Sequence, residues 1–593
     1  MLPNVDLEEK LKYINEYKVA SNAAEASKVD SNSNVTQKTI AGLEAELFKP
    51  DTIQINRKLV TDKIEQLFGT SVATQYLKDL KEHIIYTHDE TSLKPYCASI
   101  TLYPFLLEGT KCLGGVSKAP KNLQSFCGSF VNLVYQIASN FSGAIATVEF
   151  LHMFDYFARK QWGKGYLTEH AREVEQEFQG VVYALNQPAS ARGDQSVFWN
   201  ISVFDHAYLK EMFSGFYYPD STQVDIESTM KLQEFFLDWF RLERKKELLT
   251  FPVVTAALLT EGKEGFKDED FMTFIAIEQA KGLSFFVYMS DKADSLASCC
   301  RLRNELADNT FSYTLGAGGV VTGSARVITL NINRIIQKEI PIDEVLDRVH
   351  MYLVAQREVI KGYIDAGLLP AYTQGFMDLD KQFLTIGVNG VLEGFEFLRY
   401  KKGTVYKDEY PSYLKELLET LKVSNKAALS TYGVRFNTEF VPAENLGVKN
   451  AKWDKEDGLY VPRDCYNSYF YAVEDTKCNI LDKLKLYAHE ITQYLDGGSA
   501  LHLNLEQLLT TGQFITLYRL CARYGVMYWT TNCLVTICND CGYINVDTKD
   551  HCIKCGSHNV DYGTRVIGYL KRISNFSEGR QKEAQKRFYH LRG

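Results

Sequence analysis

Residues 538–559 read CNDCGYINVDTKDHCIKCGSHN, and this segment decides how the C-terminal part of the chain folds. It contains two Cys-x-x-Cys pairs, Cys538/Cys541 and Cys552/Cys555, separated by ten residues. Each pair forms a tight knuckle, and two knuckles close a tetrahedral site of four thiolates that suits Zn²⁺. Because all four ligands are protein thiolates, no position is open to substrate. The spacing therefore predicts a structural metal site.

Glycines follow both knuckles, and they support this interpretation. Gly542 and Gly556 come directly after the second cysteine of each pair, where the turn often requires a positive φ. A redox-active dithiol and unliganded core cysteines are the alternatives to metal binding. The nearby His551 and His558 are interpreted as surface residues, since four cysteines already complete the site.

A second motif lies just downstream, at Arg565-Val-Ile-Gly568-Tyr-Leu570. A lone glycine between apolar residues usually marks a turn or a close approach of the backbone. Here the string follows two cysteine knuckles and precedes Gly579-Arg580-Gln581, which lies in a basic segment predicted to be helical. In this order the motifs resemble the glycyl-radical loop of the anaerobic (class III) ribonucleotide reductases. The resemblance implies that Gly568 carries an organic radical.

Glycine is the residue that this chemistry needs. A radical on its Cα is stabilised by the flanking amide nitrogen and carbonyl, and only a residue without Cβ becomes planar without steric conflict. Such a radical has to be kept away from water and oxygen. A loop held by a rigid zinc module and inserted into a barrel meets that requirement.

Composition sets outer limits on function. The 593 residues include 66 Lys and Arg against 74 Asp and Glu, a formal net charge of −8, which excludes a wholesale polyanion binder. Hydrophobic residues make up 45% of the chain, as expected for a large buried core.

The chain opens without an apolar signal segment, so a cytoplasmic protein with reduced cysteines is expected. The uncharged stretch 122–148 is interrupted by Gln, Ser and Asn, and we interpret it as a buried helix pair rather than a membrane span.

The periodicity of apolar residues predicts an α/β body. Residues 50–190 are dominated by helical spacing, for example in segments 64–88 and 127–141. Four short apolar runs then alternate with helical segments, as in a parallel sheet: 250–259, 284–289, 326–332 and 382–390. We predict an N-terminal helical arm at 1–50, a catalytic α/β body at 51–530, and a zinc-binding and glycyl-radical domain at 531–593.

Further strings extend the resemblance along most of the chain. They lie in the family's order, at Asn22–Gly42, Pro95-Tyr96-Cys97, Ser298-Cys299-Cys300-Arg301, Gly316–Asn331, Pro442-Ala443-Glu444 and Gly497–His502. Two positions depart from the family pattern: Cys299 replaces the usual glycine, and Ile567 stands where Cys or Ser is common. The resemblance implies a ten-stranded α/β barrel of two parallel five-stranded halves, with a central finger loop carrying Cys300.

The resemblance also implies an activity. It is the anaerobic reduction of ribonucleoside triphosphates to deoxyribonucleoside triphosphates, for DNA replication. A radical-SAM iron–sulfur activating enzyme installs the glycyl radical. The family further implies a homodimer whose specificity is controlled allosterically by deoxynucleotide and ATP effectors. Because the resemblance begins at about residue 20, we expect no N-terminal ATP-cone of the kind that some relatives carry.

The implied roles of individual residues follow. A thiyl radical at Cys300 abstracts hydrogen from C3′ of the ribonucleotide, and Cys97 supplies a proton and an electron on the opposite face; the alternative for Cys97 is a core cysteine. Asn331, at the end of an apolar strand, is expected either to hydrogen-bond substrate or a carboxylate reductant, or to serve as a structural cap. Pro442, Ala443 and Glu444 either present backbone N–H groups to phosphate oxygens or form a plain turn.

The electron source and the protein class remain open at this point. Formate is favoured as reductant, and a redoxin acting through Cys299 is the alternative. One competing class is a glycyl-radical enzyme of the pyruvate formate-lyase type, which shares the Arg-Val-x-Gly-Tyr string and adjacent cysteines. The other is a nucleic-acid-binding zinc ribbon with the basic tail 571–593, which the acidic remainder of the chain disfavours. We therefore predict no nucleic-acid and no membrane partner.

Overall fold

The computed structural model describes residues 6–27, 29, 34–35, 37–189, 195–293, 295–297, 303–305, 320–402, 409–441, 445–565 and 568–590. Cys299, Cys300, Pro442, Ala443 and Glu444 lie outside these ranges. No helix within them is long and apolar enough to cross a membrane.

The strands form one large sheet and two smaller ones. They are β1 Ile85–Thr87, β2 Cys97–Ser99, β3 Ile145–Ala146, β4 Trp199–Phe204, β5 Val253–Glu261, β6 Gly265–Phe266, β7 Phe286–Ser290, β8 Ser295–Ala297, β9 Arg303–Glu305, β10 Thr322–Asn331, β11 Gln382–Asn389, β12 Phe436–Glu439, β13 Leu501–Leu505, β14 Tyr528–Cys533, β15 Val535–Cys538, β16 Ile544–Asn545, β17 Val560–Arg565 and β18 Leu570–Arg572.

Helices connect and cover these strands. They are α1 Leu7–Val19, α2 Ala23–Ala26, α3 Ile40–Leu47, α4 Lys49–Phe68, α5 Thr70–Lys81, α6 Tyr103–Glu108, α7 Leu123–Ala138, α8 Phe150–Trp162, α9 Tyr166–Glu169, α10 Ala171–Leu185, α11 His206–Phe213, α12 Ile226–Glu243, α13 Glu269–Ala280, α14 Ile332–Gln337, α15 Ile342–Asp365, α16 Pro370–Thr373, α17 Val391–Lys402, α18 Tyr410–Tyr432, α19 Leu446–Glu456, α20 Ile480–Leu486, α21 His489–Thr492, α22 Thr511–Tyr524 and α23 Glu578–Lys586. Short 3-10 helices lie at Lys111–Leu113, Leu379–Lys381 and Ile573–Asn575.

The large sheet has the strand order β12-β11-β10-β2-β3-β4-β5-β7-β14-β13, with β1 added beside β10 and β6 beside β5. Strands β2, β3, β4, β5 and β7 are mutually parallel. Strands β10, β11 and β12 are parallel to one another, as are β13 and β14. The groups meet through antiparallel pairs, β10 with β2 and β14 with β7. The fold is therefore mixed α/β.

The two ends of this strand order approach each other. An isolated parallel bridge joins Glu439, the last residue of β12, to Gly498, which precedes β13. The Gly497 N–H donates to the Thr438 carbonyl at 2.8 Å. A Cβ at Gly497 would lie 2.5 Å from that carbonyl oxygen, so only glycine permits this approach.

The predicted strands are confirmed, whereas two helical predictions are wrong in part. Strands β5, β7, β10 and β11 occupy the four apolar runs. Segment 64–88 is not one helix: it breaks at Gly69, whose φ is +90°, and its end forms β1 against β10. Segment 122–148 holds one helix, α7, followed by β3, rather than a helix pair. Its turn passes so close to Tyr96 that a Cβ at Gly143 would lie 2.8 Å from the Tyr96 carbonyl oxygen.

The C-terminal strands build a separate antiparallel sheet in the order β16-β15-β17-β18. The sheet contacts the body through backbone hydrogen bonds, for example from the Ile544 N–H to the Lys245 carbonyl at 3.2 Å. After α23 the chain returns to the large sheet, where His590 forms a parallel bridge with Leu505 at the end of β13. The last residues thus hold the small sheet against the body.

Candidate active site and metal centre

The four knuckle cysteines converge. The sulfur atoms of Cys538, Cys541, Cys552 and Cys555 all lie within 4.8 Å of one another. Two of the Sγ–Sγ distances are 3.6 and 3.7 Å. A tetrahedral site with Zn–S bonds of about 2.3 Å places its sulfurs about 3.8 Å apart, so this donor set fits Zn²⁺.

The knuckle turns have the predicted backbone. Gly542 and Gly556 have φ values of +73° and +75°, which confirms the expected positive φ. The backbone N–H groups of Cys541 and Lys554 point at the sulfurs of Cys538 and Cys552, at 3.5 and 3.4 Å. Such N–H groups stabilise thiolate charge.

Another cysteine lies close in sequence to this group but does not belong to it. Cys533, just before the first knuckle, lies outside the cluster, and burial raises the pKa of its thiol to about 12. This thiol therefore stays protonated at neutral pH.

Gly568 lies in the connection between β17 and β18, and it is buried. One guanidinium nitrogen of Arg565, Nη1, donates to the Gly568 carbonyl at 2.8 Å. The other, Nη2, donates to Ser284 Oγ at 2.9 Å, and the guanidinium lies 4.6 Å from the centre of the Phe286 ring. Arg565 therefore links Gly568 to the residues at the start of β7.

The neighbouring Tyr569 attaches the same loop to the starts of two further strands. Its ring centroid lies 5.2 Å from that of Phe198, just before β4, and 6.0 Å from that of Phe251, just before β5. Thr250 Oγ1 donates to the Leu570 carbonyl at 3.2 Å. The loop thus contacts the amino-terminal ends of three adjacent parallel strands.

Cys97 lies at the same edge of the sheet. It is the first residue of β2, is 2% exposed, and packs in a small cluster with Ala144, Tyr96 and Phe198. Phe198 contacts both this cluster and Tyr569. The structure therefore brings the predicted Cys97 and Gly568 to one edge, where Phe198 of the Cys97 cluster contacts Tyr569, the residue after Gly568.

The strand face that carries Cys97 is polar. Ser324 lies opposite Cys97 and Thr322 opposite Ser99, and residues paired in this way share a face. The hydroxyls of Ser324 and Thr385 are 2.7 Å apart, and Thr385 donates to Asn437 Oδ1 at 2.7 Å.

Three groups in this region lack a hydrogen-bond partner among the described residues: Ser99 Oγ, Thr322 Oγ1 and Asn437 Nδ2. Buried polar groups without partners are rare, and they are typical of ligand sites. Sequence reasoning missed all three. The signal available for Ser99 was its place two residues after Cys97, on the same face of a strand.

Asn331 ends β10 as predicted, and its side chain has structural contacts. Its Oδ1 accepts from the Arg334 N–H at 3.2 Å and caps α14, while its Nδ2 donates to Asp454 Oδ1 at 3.0 Å. Asp454 also pairs with the fully buried Arg334 at 2.7 Å. These contacts match the capping alternative; the substrate role stays a prediction.

Comparison with known proteins identifies the chain. A family model described as anaerobic ribonucleoside-triphosphate reductase matches residues 44–590. A solved anaerobic ribonucleotide reductase has a TM-score of 0.87 at 27% identity, covering 99% of this chain and 93% of its own. The Thermotoga maritima anaerobic ribonucleotide reductase with glycerol in the active site has a TM-score of 0.82 at 29% identity, covering 92% and 90%. The same enzyme in complex with dATP and CTP has a TM-score of 0.83 at 27% identity, covering 98% of this chain and 100% of its own. A search of curated proteins finds no match.

The mixed α/β body with its four-cysteine module has the fold of a ribonucleotide reductase. Within this class, the chain belongs to the anaerobic ribonucleoside-triphosphate reductase family. It is an oxidoreductase that reduces ribonucleotides to deoxyribonucleotides for DNA synthesis. The pyruvate formate-lyase type is less well supported, because the family model and these structures are reductases.

Proposed function

We propose that this chain reduces ribonucleoside triphosphates by radical transfer from Gly568 through Cys300, with Cys97 as the second catalytic thiol. The observation that carries the proposal is the shared edge of the sheet. The buried Gly568 loop is docked there by Arg565 and Tyr569, and Phe198 lies between Tyr569 and Cys97. A stored radical next to a buried thiol, shielded from water, is the arrangement that this chemistry requires.

The proposed steps balance as follows. Cys300 gives its thiol hydrogen atom to the Gly568 Cα radical, and the resulting thiyl abstracts the C3′ hydrogen of the substrate. Cys97 supplies the proton with which the 2′-hydroxyl leaves as water. The oxidised intermediate then takes two electrons and one proton from formate, which leaves as carbon dioxide. The C3′ hydrogen returns from Cys300, and a solvent proton restores the Cys97 thiol. Formate is favoured over a redoxin acting through Cys299.

The architecture that we propose is a closed barrel of ten strands. The five parallel strands β2, β3, β4, β5 and β7 form one half, and β10 to β14 form the other. The bridge between Glu439 and Gly498 supports closure between β12 and β13. The finger loop carrying Cys300 then lies inside. We further propose an N-terminal arm at 1–50, a catalytic body at 51–530 and a radical domain at 531–593; β14, at Tyr528–Cys533, crosses the second boundary.

Partners and cofactors follow from the family and from the site. Cys538, Cys541, Cys552 and Cys555 would hold a structural Zn²⁺, which would fix the turns that lead into the radical loop. A radical-SAM iron–sulfur activating enzyme generates the glycyl radical. The dATP and CTP bound to the Thermotoga maritima enzyme support deoxynucleotide effectors and a triphosphate substrate here. We propose a cytoplasmic homodimer, with Pro442, Ala443 and Glu444 at the substrate phosphates and Asn331 near the substrate.

The roles of the two thiols can be distinguished by substituting each one in the anaerobically activated enzyme. Cys300→Ser is expected to accept a normal glycyl radical yet leave the substrate untouched, because no thiyl forms. Cys97→Ser is expected to consume substrate but to stall after C3′ chemistry and release free base. Cys127→Ser, at a buried position in α7, is the control and should retain turnover. Normal turnover in either test variant contradicts the role assigned to that cysteine.

The reductant is identified by product stoichiometry. Turnover with formate alone should release about one carbon dioxide per deoxynucleotide, and Cys299→Ala should leave that ratio unchanged. Deoxynucleotide formed without carbon dioxide, dependent on an added redoxin and lost in Cys299→Ala, would replace formate by the redoxin route.

A further inference from the structure

A cavity of about 50 Å³ lies between the body and the C-terminal sheet, behind the Gly568 loop. The body contributes residues from the end of α12, from α13 and from the segment before β7; the C-terminal sheet contributes residues of β15 to β18. A buried space of this size holds an ion of a few non-hydrogen atoms.

The lining of the cavity is cationic. It includes Arg241, Arg244, Lys245 and Arg565, and none of the described residues that line it is Asp or Glu. Arg241 pairs with Asp238 and Glu278.

The two remaining arginines donate hydrogen bonds to backbone carbonyls and to a hydroxyl. Arg244 donates to the carbonyls of Leu249 and Ser284, at 3.1 and 2.8 Å. Arg565 donates to the Gly568 carbonyl and to Ser284 Oγ, and it is 4% exposed. Burial and, to a smaller extent, the nearby Arg565 lower the pKa of Arg244 to about 9. The half-buried Arg244 and the buried Arg565 thus repel each other beside a cavity whose described lining contains no carboxylate.

An independent observation comes from Gln279 in α13. Its side chain lines the cavity and is 2% exposed, and its Oε1 accepts from the Tyr518 hydroxyl at 2.9 Å. Its Nε2 has no hydrogen-bond partner among the described residues. Asn532 Oδ1, also in the lining, has no hydrogen-bond partner among the described residues either. An unsatisfied buried amide donor is costly, and a bound acceptor removes that cost.

We propose that this cavity is a binding site for a small anion, either a carboxylate of formate size or an inorganic monoanion, held by Arg244, Arg565 and the Gln279 amide. An anion there neutralises the guanidinium pair and satisfies the Gln279 donor. Because Arg565 also holds the Gly568 carbonyl, the anion fixes the side chain that docks the loop. The site is distinct from the polar strand face beside Cys97.

The direct test uses crystals of the full chain soaked in sodium bromide, with anomalous diffraction locating bromide. We expect a peak in the cavity within hydrogen-bond distance of Arg244 and Arg565. Bromide at surface positions with no peak in the cavity would overturn the proposal. No radical activation is needed, so this result is independent of the role proposed for Gly568.

The second test measures the thermal midpoint against formate concentration at constant ionic strength. Gln279→Leu should weaken the apparent formate affinity about tenfold, since it removes one hydrogen bond to a charged group. Gln233→Leu, at a buried glutamine whose amide pairs with the backbone of Phe204, is the control for lost stability and should keep the wild-type response. The same formate response in wild type and Gln279→Leu would contradict the assignment. Parallel titrations with acetate and chloride separate a carboxylate site from a halide site.

Discussion

The catalytic body and the C-terminal sheet are stabilised in different ways. The body has one continuous hydrophobic core that includes residues from Val60 to Trp529. Among the described residues of 534–572, few apolar side chains are buried, namely Ile537 and Ile544 together with the cysteines Cys538 and Cys552. A segment with so little core depends on metal ligands and on contacts with its neighbour. The loop that we propose stores the radical thus lies in the part of the chain that is least able to fold alone.

The largest difference between the two regions is expected from a substitution at Gly568, which should abolish the radical and leave the body intact. Gly568→Ala is expected to abolish radical accumulation and turnover, because a Cβ prevents the planar captodative centre, while the body stays folded. The measurement is the electron paramagnetic resonance signal after anaerobic activation, followed by exposure to air. Wild type should be cut at residue 568 and the variant should stay intact. A full radical yield in the variant, or a cut elsewhere in wild type, would remove Gly568 from the mechanism.

Removing one knuckle thiolate should unfold the C-terminal sheet alone. In Cys541→Ser we expect zinc to fall from about one per chain to below about 0.1, because structural zinc supplies local folding free energy. Far-ultraviolet circular dichroism should report an intact body, and hydrogen exchange should report loss of protection in residues 535–572. Cys533→Ser is the matched control, since this cysteine lies outside the cluster. Stoichiometric zinc in Cys541→Ser would mean that Cys541 is not a ligand.

A smaller effect is expected from the ion cluster that anchors the C-terminal helix. Glu583 pairs with Arg587 at 2.8 Å and lies 3.4 Å from Arg580, with all three side chains buried. Arg587 in turn donates to the Arg565 carbonyl at 2.7 Å. Glu583→Gln removes the negative charge that the two arginines share, at a cost of about 3 kcal/mol.

Hydrogen exchange in 578–590 should then rise about a hundredfold, without unfolding the body. Glu578→Gln on the same helix is the control, because Glu578 is exposed and pairs with Lys582 at the surface. Equal protection in the two variants would show that the cluster does not hold the helix.

The sequence predicted the features that depend on neighbouring residues and missed those that depend on distant ones. The Cys-x-x-Cys spacing gave the metal cluster, and the apolar runs gave β5, β7, β10 and β11, because both signals are local. The break at Gly69 and the strand after α7 were missed, since β1 and β3 form through pairing with strands distant in sequence.

Partners distant in sequence also explain what was missed in the site. Gln279 and Arg244 carry no motif, and their place behind the Gly568 loop depends on how the two parts of the chain dock. The contact between Phe198 and Tyr569 joins residues 371 positions apart in the printed sequence, and no short pattern signals it.

The smallest expected effect tests that contact. Phe198 is half-buried and is the side chain that lies between the Cys97 cluster and Tyr569. Phe198→Leu keeps an apolar residue but removes an aromatic pair worth about 1 kcal/mol. The docked fraction of the loop, and with it turnover, should fall about fivefold. Phe204→Leu at the end of the same strand is the control, because Phe204 packs on Tyr208 and Phe213 instead. Hydrogen exchange of residues 568–572 in the unactivated protein measures docking of the loop independently of turnover. If exchange rises equally in both variants, the effect comes from general loosening of the body, and docking of the loop rests on Arg565 rather than on the aromatic contact.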